Sequence, residues 1–241
     1  MMQVALDPQT RKAKTLAAFE PEVIAEIPTS IAAKGATLTG RWREPSGRAA
    51  AVAVVHPAAG VPQSYYAAFA GWLARERSVA VLTYDYRDFG ASLARPIREA
   101  KATMGDWGAM DQAAALAAAR RRAEAEPGGA APLWAIGHSL GGMMTGFHPD
   151  AAAVDRLIAV ASGPVHWRDH PASYMPQVFA FWAAAGPAST AALGYLPGRA
   201  LGLGADLPRG VYWQWRRWCL TPGFWRVDEA AGRLPPNDRA A

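Results

Sequence analysis

The stretch Ala135-Ile136-Gly137-His138-Ser139-Leu140-Gly141-Gly142 holds the residues whose types and spacing could do chemistry. Its centre, Gly137 to Gly141, fits G-x-S-x-G, the pattern of a serine set on a sharp strand-to-helix turn. The flanking glycines let the backbone turn without a Cβ clash. A serine hydroxyl placed there can attack an acyl carbon, but it needs a base within hydrogen-bond reach and a third group to orient that base. The pattern alone recurs by chance, so the neighbouring elements and the partners of Ser139 must decide its meaning. After Ser139 the chain offers His148, His166 and His170. His148 lies further along the helix that would follow the turn, and a rise of about 1.5 Å per residue carries it away from the serine. His166 and His170 follow "LIAVASG", with Asp169 beside them. Ser139, one of these histidines and Asp169 form a conceivable triad. The alternative is that both histidines sit at a hinge and meet solvent or backbone.

The elements that must position Ser139 are readable. "AAAVAVVHPAAG" (49–60), "SVAVLTY" (78–84), "APLWAIGHS" (131–139) and "DRLIAVASG" (155–163) are continuous apolar runs, as expected of strands buried on both faces. "ATLTGRWREPSG" (36–47) alternates and ends in turn residues, which suggests a hairpin strand. Tyr65, Phe69, Trp72 and Leu73 fall on one helix face, and "MDQAAALAAARRRAEAE" (110–126) is a strong helix former stopped by Pro127-Gly128-Gly129. Strands alternating with helices predict a parallel sheet, and Ser139 then sits at a strand C-terminus, the edge where open α/β sheets bind ligands. From 163 to 225 the character changes: six of the ten tryptophans lie there, and 174–185 and 211–220 keep helical spacing.

Composition narrows the classes. The 241 residues suit one large domain, and 51% apolar residues suffice for a sizeable core. The net charge of +5 is scattered, and Arg120-Arg121-Arg122 closes a helical run where positive charge suits the C-terminus. No basic stripe or known motif points to nucleic acid. Cys219 is the single cysteine and the histidines lack metal-ligand spacing, so neither a disulfide, a metal nor another cofactor is expected. No apolar run reaches the ~18 residues of a membrane span and no signal peptide is evident, which makes the cytoplasm the default location.

With these residues in view, the chain resembles the α/β-hydrolase superfamily, and more narrowly bacterial predicted hydrolases related to serine aminopeptidases and monoglyceride lipases. "HPAAG" (56–60), "YDYRDFGAS" (84–92), "GHSLGG" (137–142) and "LPRGVYWQWRRWC" (207–219) carry the likeness. It implies an α/β fold, a mostly parallel sheet with helices on both faces and a helical lid. The expected divisions are an N-terminal arm (1–22), a core (23–162), a lid (163–225) and a disordered tail (226–241). Ser139 would be the nucleophile, and the backbone N–H groups of Ala58 and Leu140 the oxyanion hole, each donor worth ~3 kcal/mol. His56 would brace its loop. Pro57 and Asp88 depart from the family's glycines. The implied substrate is a small molecule, an ester, thioester or amide of an apolar acyl group. The nucleophile Ser139 speaks against dehalogenase and epoxide-hydrolase relatives, which use Asp.

In this superfamily the acid and then the histidine follow two further strands. "RVDEAAGRLPPNDRAA" offers no buried-strand run and no histidine. The expectation is therefore a C-terminally truncated chain lacking the last strands, with His166, His170 and Asp169 as the remaining base and acid candidates. Loss of the base costs on the order of 10⁶-fold in kcat. Two alternatives stand beside the hydrolase: a non-catalytic binding protein of degenerate fold, and a homo-oligomer in which a second copy pairs with the exposed edge "RLIAVAS".

Overall fold

The computed structural model describes residues 25–234. Strands β1 (Ala25–Ala33) and β2 (Ala36–Glu44) form an antiparallel hairpin. Gly35 makes its turn at φ +76°, a conformation that L side chains rarely adopt. β3 (Ala51–His56), β4 (Val79–Tyr84), β5 (Leu133–His138) and β6 (Arg156–Val160) complete a six-stranded sheet in the order β1-β2-β4-β3-β5-β6. β2 pairs antiparallel to β4, and the pairs β3–β4, β3–β5 and β5–β6 are parallel. This is the expected α/β-hydrolase type of sheet. β1 was not anticipated, because Ala25–Ala33 is largely exposed and carries no apolar alternation.

Every residue of β3 and β4 is buried, as their unbroken apolar runs require. β6 has the same kind of sequence but not the burial. Leu157 is 53% and Val160 49% exposed. Among the described residues no strand pairs with its outer edge. The strand forms where the sequence places it; burial on both faces fails, and the strand stands as the exposed edge expected of "RLIAVAS".

Helix α1 (Ala67–Arg77) packs on one sheet face through Leu73 of the expected stripe, but not through the stripe's rings. Tyr66, Ala70 and Leu73 are buried against Ala51, Ala53, Val55, Val79 and Val81, and Ala74 is buried as well. Tyr65, Phe69 and Trp72 stay 70%, 42% and 40% exposed. The small side chains of Ala70 and Ala74 let the helix lie close to the sheet. Phe69 and Trp72 stack on each other outside, with Arg77 over the indole.

The opposite face is covered by α2 (Ala113–Glu124), reached through a turn at Met104–Asp106 and a π-turn at Trp107–Gln112. Thr103 and Asp106 form a capping box at the start. Leu116, Ala115, Ala119 and Ala123 enter the core. Within the Arg triplet, Arg122 bridges Glu44 at 2.8 Å and Glu126 at 2.6 Å, which fastens the helix end to β2.

After the short helix α3 (Leu140–Met143) and β6, the chain is helical: α4 (Met175–Ala180), a π-turn at Phe181–Ala185, α5 (Gly186–Leu193), α6 (Arg209–Leu220) and α7 (Arg226–Ala230). A two-residue ladder of β7 (Tyr195–Leu196) and β8 (Leu207–Pro208) joins α5 to α6. The buried rings of Trp182, Tyr212, Trp218 and Phe224 hold these helices to the core.

The disordered-tail reading from 226 is corrected for residues 226–234. They form α7 and end on buried Leu234. Asp228 is fully buried there and accepts hydrogen bonds from Arg217, Gln214, Trp218 Nε1 and Arg233. The expected arm at 1–22 and the rest of the tail lie outside the described residues. Burial opposes the Asp228 charge, but the four donors outweigh it and hold the carboxyl well below its usual range. Replacing Asp228 with Ala is expected to cost about 3 kcal/mol in urea unfolding, chiefly from Trp218 and Gln214 left without an acceptor. Arg217 and Arg233 are partly exposed and rehydrate. A carboxyl with a depressed folded pKa stabilises above its unfolded pKa, so the advantage over Asp228→Asn should be full above about pH 5 and decline below about pH 4.

Candidate active site

β5 runs directly into Ser139, whose backbone is forced to φ 52° and ψ −119°. A non-glycine residue held there costs on the order of 1–3 kcal/mol and needs surroundings that over-determine it. Those surroundings are present. Ser139 N–H donates to Val160 O at 2.8 Å, Ser162 Oγ donates to Ser139 O at 2.6 Å, and Met143 N–H donates to the same oxygen at 3.3 Å. Two glycines are needed for close approach. A Cβ at Gly141 would strike the His56 carbonyl, and one at Gly137 would strike the Gly142 backbone. The end of β3, the Ser139 turn and the end of β6 are thus packed against one another.

Ser139 is half-buried and lines a cavity of about 220 Å³ together with His170, Trp182, Trp215, Cys219 and Phe224. Leu140, as the first residue of α3, has a backbone N–H in the position that lacks an intrahelical acceptor. Burial raises the Cys219 thiol to about 12, so it stays protonated.

A buried polar network lies behind this cavity. His56 is fully buried with Nδ1 2.8 Å from Tyr84 Oη. Burial, aided by His148, lowers its pKa to about 3, which keeps it neutral. Tyr86 Oη donates to Pro57 O at 3.1 Å and accepts from Gln112 Nε2 at 3.1 Å. Gln112 Nε2 also donates to Gly141 O at 2.8 Å. Gln112, on the π-turn, therefore clips the 56–58 loop to the turn that carries Ser139. Sequence reasoning missed Tyr66, Tyr84, Tyr86, Gln112 and Ser162, because their contacts join elements far apart in the chain. The one available signal was their polar character inside otherwise apolar runs.

The structure gives the Ala58 N–H a partner that the oxyanion expectation did not include. It donates to Tyr66 Oη at 2.9 Å, and the same hydroxyl lies 2.9 Å from His138 Nδ1. Ala59, not Ala58, is among the residues lining the Ser139 cavity. Asp88 is a departure that the structure explains. Its φ of 57° is the left-handed conformation that favours glycine, and its carboxylate accepts from Lys101 N–H and Ala102 N–H. Those two bonds offset the strain of a side chain at that position. Arg87 is anchored by Asp111 at 2.7 Å.

The three candidates after β6 separate. His170 lines the Ser139 cavity. His166 and Asp169 line a different one, of about 320 Å³, with Pro164, Phe224, Trp225 and Arg226. Asp169 accepts from the His166 N–H at 2.8 Å, and His166 Nδ1 accepts from the Arg168 N–H, so both cap their own turn. Among the described residues no hydrogen bond joins Ser139 Oγ to a histidine ring, and no group of His, Cys, Asp and Glu side chains could hold a metal ion. No described helix is long and apolar enough to cross a membrane.

An open α/β sheet with a serine strained at the C-terminal end of a central strand defines a hydrolase-type scaffold. The model of the alpha/beta hydrolase family matches residues 52–239, and the chain belongs to that family. No curated protein matches it. Among solved structures, an alpha/beta hydrolase from Penicillium sp. sh18 is 19% identical, with 79% of this chain and 72% of that one covered and a TM-score of 0.49. An α/β serine hydrolase without lid from Xanthomonas campestris is 19% identical, covering 58% and 62%, with a TM-score of 0.43. An esterase from Pyrococcus furiosus is 14% identical, covering 64% and 59%, with a TM-score of 0.46. The chain spans 59–62% of the length of the latter two.

The clip made by Gln112 gives a direct test of the packing. Gln112→Leu removes both donated bonds, while Gly141 O keeps its bond from Thr145 Oγ1 and Tyr86 Oη keeps its bond to Pro57 O. The expected loss is about 1–3 kcal/mol in chemical denaturation. An unchanged midpoint would show that the bridge does not hold the loop to the turn.

Proposed function

We propose that this chain carries the catalytic core of a serine hydrolase for an ester, thioester or amide of an apolar acyl group. The observation that carries the reading is Ser139, strained at the end of β5 and facing a cavity whose walls combine His170 with Trp182, Trp215 and Phe224. Residues 163–225 serve as its lid over a core of 23–162. Ser139 Oγ attacks the acyl carbon while His170 accepts its proton. The oxyanion that forms is met by the Leu140 N–H. The Ala58 N–H adds a second donor when Tyr66 Oη releases it. The tetrahedral intermediate collapses, the leaving group departs with the proton from His170, and the acyl group stays on Ser139. Water, deprotonated by His170, then attacks the acyl-enzyme, and the acid is freed as His170 returns the proton to Ser139 Oγ. Asp169 orients His170 only if it leaves the His166 turn.

A second reading keeps the cavity and drops the chemistry: a binding protein with an unpowered turn. It is favoured by the absence, among the described residues, of a Ser139–histidine hydrogen bond and by the engagement of Asp169 elsewhere. Hydrolysis of p-nitrophenyl esters separates the two. Ser139→Ala is expected to abolish turnover, and His170→Gln to lower kcat on the order of 10⁶-fold. His166→Gln should leave it unchanged. Turnover that survives Ser139→Ala would end the serine reading. Turnover that survives His170→Gln but not Ser139→Ala would move the base elsewhere.

A further inference from the structure

The loop after β3 is held in place without the bond that its Ala58 N–H makes. Tyr86 Oη donates to Pro57 O at 3.1 Å, and Val61 N–H donates to Ala58 O at 3.2 Å. Pro57 has no N–H, so Ala58 carries the first donor after β3. The next residue, Ala59, lines the Ser139 cavity. Ala58 itself is buried, and a buried N–H without an acceptor is costly. Tyr66 Oη is that acceptor, at 2.9 Å.

Tyr66 is fixed from its other side. It ends the turn Gln63–Tyr66, and Gln63 ties that turn to Asp85 through its N–H at 2.8 Å and its Nε2 at 3.3 Å. The Tyr66 ring meets His138 edge-on, with Oη 2.9 Å from Nδ1. With the His138 proton on Nε2, Oη donates to Nδ1 and accepts from Ala58, so both bonds hold at once. The contact joins the loop after β3 to the residue before Ser139. A neutral phenol oxygen and a neutral carbonyl are acceptors of similar strength, whereas an oxyanion is about twice as strong. We propose that Tyr66 is a positioning residue whose hydroxyl withholds the Ala58 N–H from a neutral substrate carbonyl and yields it to the oxyanion, so that deleting the hydroxyl speeds the reaction. This rests on the serine-hydrolase reading for where the oxyanion forms; competition between Tyr66 and a bound anion for the Ala58 N–H does not require turnover.

Tyr66→Phe keeps the ring and deletes the hydroxyl, and it is read in two ways on the full chain. In turnover of p-nitrophenyl butanoate, kcat is expected to rise roughly two- to tenfold, the worth of one neutral hydrogen bond, with KM unchanged. A hydroxyl that only braces the loop would instead lower kcat when removed. In the chain bearing Ser139→Ala, sodium butanoate is titrated with and without Tyr66→Phe and followed by NMR at the Ala58 amide. The butanoate carboxylate stands in for the oxyanion, and Tyr66→Phe should lower the half-saturating concentration by a similar factor. A kcat that falls or stays level, equal butanoate affinity in the two proteins, or an Ala58 resonance that ignores butanoate in both would each overturn the proposal. Absence of Ser139-dependent turnover in the unmodified chain would sink the hydrolase reading alone, and the butanoate titration would then decide the role of Tyr66.

Discussion

The carbonyl oxygen of His56 occupies the space that any side chain at position 141 would need. That close approach of two backbones organises the rest of the site. It sets the loop after β3 beside the turn after β5, and it requires the turn to be tight enough to leave Ser139 at positive φ. The strain is offset by bonds from three directions: Val160 O and Ser162 from the end of β6, Met143 from α3, and the Gln112 clip on Gly141. The Ser139 turn is therefore held in part by β6, whose outer edge is unpaired among the described residues. The geometry of Ser139 and the state of that edge are mechanically linked.

The electrostatics behind the turn follow from the same packing. His56, Tyr84 and Tyr86 are buried so completely that each is kept in its neutral form. They can brace the loop but cannot exchange protons with a substrate. Tyr66 is likewise raised to about 12 by burial, and its hydroxyl serves as a fixed hydrogen-bonding group between Ala58 N–H and His138. Among the described residues after β6, His170 is the histidine that lines the Ser139 cavity.

What the sequence made legible was what depends on local pattern. β3, β4 and β5 announce themselves as apolar runs, and Gly137 to Gly141 marks the turn because only glycines permit its close contacts. The rings of the α1 stripe were misread, since hydrophobicity favoured Tyr65, Phe69 and Trp72 while close packing favoured Ala70 and Ala74. β6 has the composition of a central strand, but it stands as the exposed edge expected of "RLIAVAS", and no described strand covers it. Asp228 and Leu234 sat in a stretch that looks polar and Pro-rich, and only the convergence of Arg217, Gln214 and Trp218 from α6 makes it ordered. The Tyr66 contact to Ala58 N–H and the separation of Asp169 from His170 are tertiary facts with no counterpart in spacing.

Whether the strained serine is chemically activated is best settled by its reaction with a fluorophosphonate, which phosphonylates a serine only when its hydroxyl is made nucleophilic. The purified full chain would be treated, weighed intact and digested to locate the adduct. One adduct, on Ser139 and absent from Ser139→Ala, is the expected result. A folded, monodisperse protein that carries no adduct would contradict it, and Ser139 would then be a wall of a binding cavity and not a nucleophile.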